Sequence, residues 1–151
     1  MSQTELAVRA IILRDGKLLV MRRDKFGKKY ITLPGGAVEA DETPEQAVIR
    51  EFKEETCLDI RILRKVYEQK PYLEFPWQYI YLCEAMSADE PMLDKQSIEY
   101  KLGKTGNHFE PTYLTPDEID NAPEPFFPGQ LFDELKVALA QGFPKVTKTI
   151  C

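Results

Sequence analysis

The sequence predicts an α/β domain in which a central mixed β-sheet is covered by helices on both faces. Two observations carry this. Strand-like runs, one strongly marked helix, further strand-like runs and a terminal amphipathic helix follow one another along the chain, an order that a sheet with helices on its faces satisfies. The helix near residue 50 also carries complete local start signals, so it anchors the rest. A length of 151 residues suits one domain, 1–151, with a real core.

Glu5–Leu13 and Lys17–Arg22 read as strands rich in Val, Ile and Leu, with Asp15-Gly16 as the hairpin turn between them. The hairpin delivers Arg22 and Arg23 to a strand end. Asp24, Lys25, Lys28 and Lys29 follow in a loop around Gly27, gathering positive charge before the short run Tyr30–Leu33. Pro34, Gly35 and Gly36 then let the backbone approach a ligand closely. No Gly-Lys-Ser/Thr follows, so this is not a Walker loop.

The spacing next predicts a helix over Pro44–Thr56. Thr43 caps it, Pro44 suits the first position, and Gln46 completes a capping box. Glu51, Glu54 and Glu55 fall within one arc, because they are related by three- and four-residue steps. Val48, Ile49 and Phe52 fill the neighbouring arc, expected to face the core. Like charges at such spacings cost an isolated helix roughly 0.2–0.5 kcal/mol per pair. A divalent cation reverses that sign, since hard cations such as Mg²⁺ take carboxylate oxygens together with substrate phosphates. Arg50 is placed to pair with Glu54, and Glu42 to interact with the helix dipole.

Leu58–Glu68 and Gln78–Ala85 are two further expected strands. Trp77, Tyr79, Tyr81 and Cys83 share one face of the second, available either for packing or for stacking a nucleobase. Met86–His108 reads as a long polar loop, with Glu99 and Glu110 as the notable acids around it and His108 as the single histidine. Pro111–Leu114 reads as a last strand, Thr115-Pro116-Asp117-Glu118 as a capped short helix, and Gly129–Gln141 as an amphipathic helix. The tail, 142–151, is expected to fray.

Composition narrows the function classes. With 43% hydrophobic and 30% charged residues and a formal net charge of −5, the chain reads as an ordinary soluble globular protein, not a general nucleic-acid or acidic-membrane binder. No apolar run reaches the ~18 residues of a membrane span, and no signal-peptide pattern stands at the N-terminus. Cys57, Cys83 and Cys151 are unpatterned, which points to reduced thiols and a cytoplasmic setting.

Residues 36–58 are identified by their spacing with a known pattern. From Gly36, Glu42 follows after five residues and Arg50 after seven more, then Glu51, Phe52, Glu54, Glu55 and Leu58. The segment resembles the box of the Nudix hydrolase family (MutT-like), G-x5-E-x7-R-E-U-x-E-E-x-G-U with U a bulky aliphatic. Two positions depart: Phe52 replaces an aliphatic, and Cys57 replaces a glycine. The second matters more, because a left-handed residue past a helix costs a non-glycine roughly 1–2 kcal/mol.

The resemblance implies the Nudix fold, an α/β/α sandwich, and Mg²⁺, with Mn²⁺ as a substitute, held by Glu51, Glu54 and Glu55. A backbone carbonyl at Gly35 or Gly36 joins the metal shell, and the turn at Gly36 also meets substrate. It places Arg23, with Arg22 close behind, on a substrate phosphate and makes Arg50 the residue that holds the glutamates. The general base that serves the attacking, metal-bound water is Glu54 or Glu110. The implied substrate is a nucleoside diphosphate linked to another group X, a small molecule whose class stays open. Two other readings are a catalytically silent nucleotide-binding regulator and a structural metal-binding module. The resemblance also admits a homodimer.

Overall fold

The computed structural model describes residues 5–73, 75–95 and 97–151. Asp15 (φ 51°) and Gly16 (φ 77°) form the tight turn expected between β2 (Leu13–Arg14) and β3 (Lys17–Lys25). β3 does not stop at Arg22. It runs on to Lys25, turns at Phe26 (φ 53°) and Gly27 (φ 94°), and returns as β4 (Lys28–Thr32). The expected charged loop is therefore the tip of a second hairpin. β8 (Asn107–Leu114) pairs with the other edge of β3, matching Arg22 with Glu110 and Arg23 with Phe109. Glu110 thus lies inside a strand and not in a loop ahead of one.

These strands form a four-stranded antiparallel sheet. A five-stranded mixed sheet stands beside it, in the order β5 (Gly35–Ala37), β1 (Leu6–Ile11), β7 (Trp77–Ala85), β6 (Ile60–Gln69), β9 (Lys148–Ile150). β9 corrects the expectation of a frayed tail. It pairs in parallel with β6, the Lys70 amide donates to the Ile150 carbonyl at 2.8 Å, and the Ile150 side chain is buried.

α1 (Pro44–Thr56) begins and ends where the local signals put it. The Thr43 hydroxyl accepts from the Gln46 amide at 3.1 Å, and the Gln46 side chain accepts from the Thr43 amide at 2.9 Å. Val48 and Phe52 are fully buried as expected, whereas Ile49 is 43% exposed and Ala47 takes its place in the core. Together with Val8, Ala10, Leu19, Tyr81 and Cys83 they form one core layer. Tyr81 and Cys83 of the β7 face that carries the aromatics therefore pack toward α1, with Tyr79 partly buried against the same layer.

The second core layer lies on the opposite side, where Leu131, Phe132 and Leu135 of α4 (Gly129–Gln141) pack on Ile11, Val20, Val66 and Ile80. The region 86–106 contains α2 (Ile98–Gly103), capped by the Ser97 hydroxyl, which accepts from the Tyr100 amide. α3 (Pro116–Asp120) carries the second capping box, from Thr115 to Glu118.

Cys57 adopts the left-handed conformation that its position demands, at φ 58° and ψ 17°, and its amide donates to the Lys53 carbonyl. The strain is real, because the side chain meets the following carbonyl in this region. Cys57→Gly is expected to raise unfolding free energy by about 1 kcal/mol in a denaturant titration, the gain being reduced by glycine's larger entropy in the unfolded chain.

Candidate active site

Two elements bring the acids together. Glu51 and Glu55 stand one turn apart on the buried side of α1, and Glu99 reaches them from α2; one carboxylate oxygen of each lies within 4.8 Å of the others. The glycine turn closes the site, with the Gly35 amide donating to Glu55 at 2.7 Å. Gly35 itself, at φ 151°, lies against β1, where a Cβ would stand 1.8 Å from the Val8 carbonyl oxygen. A Cβ at Gly36 would stand 2.5 Å from the Glu51 carboxylate. Glycine is needed there for room and not for conformation, since Gly36 is not among the positive-φ residues. Gly36→Ala is expected to keep the fold and lower kcat/KM by roughly 10²-fold, as small displacements of a reacting group do; steady-state kinetics beside a thermal melt checks both halves.

Burial governs the charges. It pushes the Glu51 carboxyl up to about 7, with Arg50 pulling the other way and Glu99 adding to the rise. It pushes Glu55 well above the usual carboxylate range, and the neighbouring Glu51 pushes further. Nearby, the half-buried Arg9 guanidinium donates through Nε to Gln78 at 2.7 Å and through Nη1 to the Leu33 carbonyl at 3.0 Å. Burial lowers its pKa, and the Glu55 charge opposes that. Arg9, the three acids, Gly35, Gly36, Arg23 and Phe109 line a cavity of about 290 Å³.

The donor set suits a hard divalent cation. Glu51 Oε2 and Glu99 Oε1 are buried side-chain oxygens without a hydrogen-bond partner among the described residues, which is costly unless something else satisfies them. Three convergent carboxylates with open oxygens match the ligand type and number that Mg²⁺ takes alongside water and phosphate.

Arg50 is the organiser of the rim. It donates to both Glu42 oxygens, at 3.0 and 2.6 Å, to Glu51 at 2.9 Å and to the Ala37 carbonyl at 3.1 Å. Its expected partner Glu54 is a weaker one, at 3.5 Å. Glu42 is therefore a clamp on Arg50 and not merely a dipole partner, and this bond holds its carboxyl below the usual range.

A family model described as the NUDIX domain matches residues 3–135. The chain belongs to the NUDIX family. Among its NUDIX relatives, the ADP-ribose pyrophosphatase of Methanocaldococcus jannaschii is 52% identical over 54 residues, which are 35% of this chain and 32% of that protein. The 8-oxo-dGTP diphosphatase of Escherichia coli K12 is 34% identical over 84 residues, 54% of this chain and 64% of that one. The chain thus spans less than two thirds of these curated relatives. A solved structure of an ADP-ribose pyrophosphatase from Streptococcus suis superposes with a TM-score of 0.65 at 20% identity, covering 97% of this chain and 98% of that one. At that identity the likeness carries the fold, which is the α/β fold of NUDIX hydrolases.

Not every expected residue of this NUDIX site gathers at the acids. Glu51, Glu55, Gly35, Gly36 and Arg23 do. Glu54 sits at the rim, a third exposed, and is not part of the three-carboxylate cluster. Burial and the Glu99 charge raise its pKa against the pull of Arg50. Arg22 and Glu110 point elsewhere, because successive strand residues face opposite sides. They line an adjoining cavity of about 300 Å³ with Asp24, Lys29, His108 and Glu124, and Arg23 lines this cavity as well as the acid one; Arg22 pairs with Glu124 at 2.9 Å. Arg23 instead donates to Asn107 at 2.5 Å and lies over the Phe109 ring at 3.6 Å.

Sequence reasoning misses Arg9 and leaves Glu99 without a role. Arg9 has a signal, a lone cation inside the apolar run Leu6–Ile12, where a strand buried on both faces leaves little solvent for it. Glu99 has none, because its approach to α1 depends on how a distant segment folds back.

Proposed function

We propose that this NUDIX domain is a Mg²⁺-dependent hydrolase that cleaves the diphosphate linkage of a nucleoside diphosphate joined to another group X. The observation that carries the reading is the buried cluster of Glu51, Glu55 and Glu99 with two unpartnered oxygens, set in a cavity that Arg23 also lines. Glu51, Glu55 and Glu99 would hold the cation, which supplies Lewis-acid charge to phosphate oxygens and lowers the pKa of water. This replaces the expected set of Glu51, Glu54 and Glu55.

The chain's own residues do the remaining work. Arg23, stacked on Phe109, offers positive charge to the diphosphate, as the electrostatics of phosphoryl transfer require. Arg50, clamped by Glu42, fixes the orientation of Glu51. Water attacks one phosphorus, a new P–O bond forms, the bridging P–O bond breaks, and Glu54 at the rim accepts the proton. Glu54 is preferred to Glu110 as base, because Glu110 pairs with Arg22 on β3 and lines the adjoining cavity but not the acid one. Free Cys57, Cys83 and Cys151 support a reducing, cytoplasmic setting. Among the described residues no helix is long and apolar enough to cross a membrane.

The test is hydrolysis of a panel of nucleotides with Mg²⁺ or Mn²⁺, products being resolved by chromatography. ADP-ribose and oxidised deoxynucleoside triphosphates come first, since two relatives bear those activities in their names. Metal-dependent release of two phosphate-bearing fragments is the expected result. Binding without turnover of any member would replace the hydrolase by a nucleotide-binding regulator.

A further inference from the structure

The acid cavity has a neighbour. Leu93, Tyr100, Gly103, Lys104, His108 and Phe109 line a second, mainly apolar cavity of about 260 Å³ between α2 and β8. Phe109 lines both cavities, and the Arg23 guanidinium rests over its ring at 3.6 Å. On α2 the adjacent residues Glu99 and Tyr100 divide between the two, Glu99 toward the acids and Tyr100 toward the apolar space. A substrate held by its phosphates at the acids therefore has this cavity beside it.

We propose that this cavity holds the nucleobase of the substrate, with Tyr100 as its stacking residue. The proposal rests on the hydrolase site being where the diphosphate binds. The lining decides which end of the substrate enters. Two aromatic rings and a leucine suit a flat, weakly polar ring system, and stacking on such side chains tolerates any base. A sugar would need several acceptors as well as donors around its ring, and of the lining side chains only the Tyr100 hydroxyl and His108 can accept, with Lys104 as a donor. The space is also below the roughly 300–1,000 Å³ of pockets that take whole drug-sized ligands, so it accommodates one ring system and leaves ribose and phosphates outside. The Lys104 ammonium, 5.6 Å from the Tyr100 ring centroid, adds a donor at the edge for the carbonyl or ring-nitrogen acceptors of a base.

Calorimetric titration of the full chain in Mg²⁺ with ADP, GDP and inorganic pyrophosphate tests this without turnover. Tyr100→Ala is expected to weaken ADP and GDP binding by about tenfold or more, the effect of removing a stacking partner, while pyrophosphate binds as in the wild type and Tyr100→Phe restores nucleotide affinity. Equal loss for pyrophosphate and nucleotides would mean that Tyr100 only supports α2 and would overturn the proposal. Unchanged nucleotide affinity in Tyr100→Ala would place the base elsewhere. The expected binding pattern in a protein that hydrolyses nothing would sink the hydrolase reading and leave the base pocket standing.

Discussion

Glu51→Gln is expected to lower kcat/KM by about 10²–10⁴-fold, the range associated with loss of a group that activates a nucleophile or its metal. The effect is electrostatic, with the shape of the site preserved. Glu51 is 7% exposed, its Oε1 accepts from Arg50 at 2.9 Å, and its Oε2 has no partner in the chain. Glutamine keeps the volume and the bond to Arg50 but removes the charge that a cation needs. The fold should survive, and the metal-free variant should be more stable than the metal-free wild type near pH 8, because a buried like-charge repulsion is gone. Kinetics and thermal melts in chelator, side by side, separate these effects; a variant that loses activity by unfolding would contradict the account.

The second large effect is the pH dependence of the metal-free protein. Burial raises the folded pKa of Glu51 from the ordinary 4.5 to about 7. A carboxyl whose folded pKa is raised keeps its proton in the folded state after the unfolded chain has released it. The associated stability is fully present below about pH 4.5 and is lost as pH rises to about 7, a change of about 3 kcal/mol from Glu51 by linkage. Glu55 is raised further and acts in the same direction. Carboxylates with lowered values, such as Glu42 and Glu124, act oppositely at lower pH, so the comparison must be differential. Denaturant titrations in chelator should show wild type losing stability relative to Glu51→Gln between pH 5 and 8. Mg²⁺ should abolish most of that difference.

These expectations depend on features of unequal visibility in the sequence. Both ends of α1 can be read from Thr43, Pro44, Gln46 and the Cys57 position, because capping is a local affair of three or four residues. The box acids are visible for the same reason, as their spacing maps directly onto one helix face. Arg22, Arg23 and Glu110 are visible as charged residues but not as neighbours. Only the register of β8 on β3, which pairs Arg23 with Phe109 and Arg22 with Glu110, leaves Arg22 and Glu110 in the adjoining cavity while Arg23 also lines the acid one. Glu99 and β9 belong to a further class. The one needs 86–106 to fold back on α1, and the other needs β6 already in place as an edge, so neither carries a local signal. Arg9 is intermediate: a charge in a strand buried on both faces announces a buried partner, though not that Gln78, Leu33 and Glu55 supply it.

In the proposed site Glu99, not Glu54, completes the metal ligands with Glu51 and Glu55. The direct measurement is Mn²⁺ binding followed by electron paramagnetic resonance in wild type, Glu99→Gln and Glu54→Gln. Glu99→Gln is expected to weaken Mn²⁺ binding by about tenfold or more, while Glu54→Gln changes affinity much less and loses turnover. Full affinity in Glu99→Gln together with collapse in Glu54→Gln would contradict it, and would return the metal to the face of α1 alone.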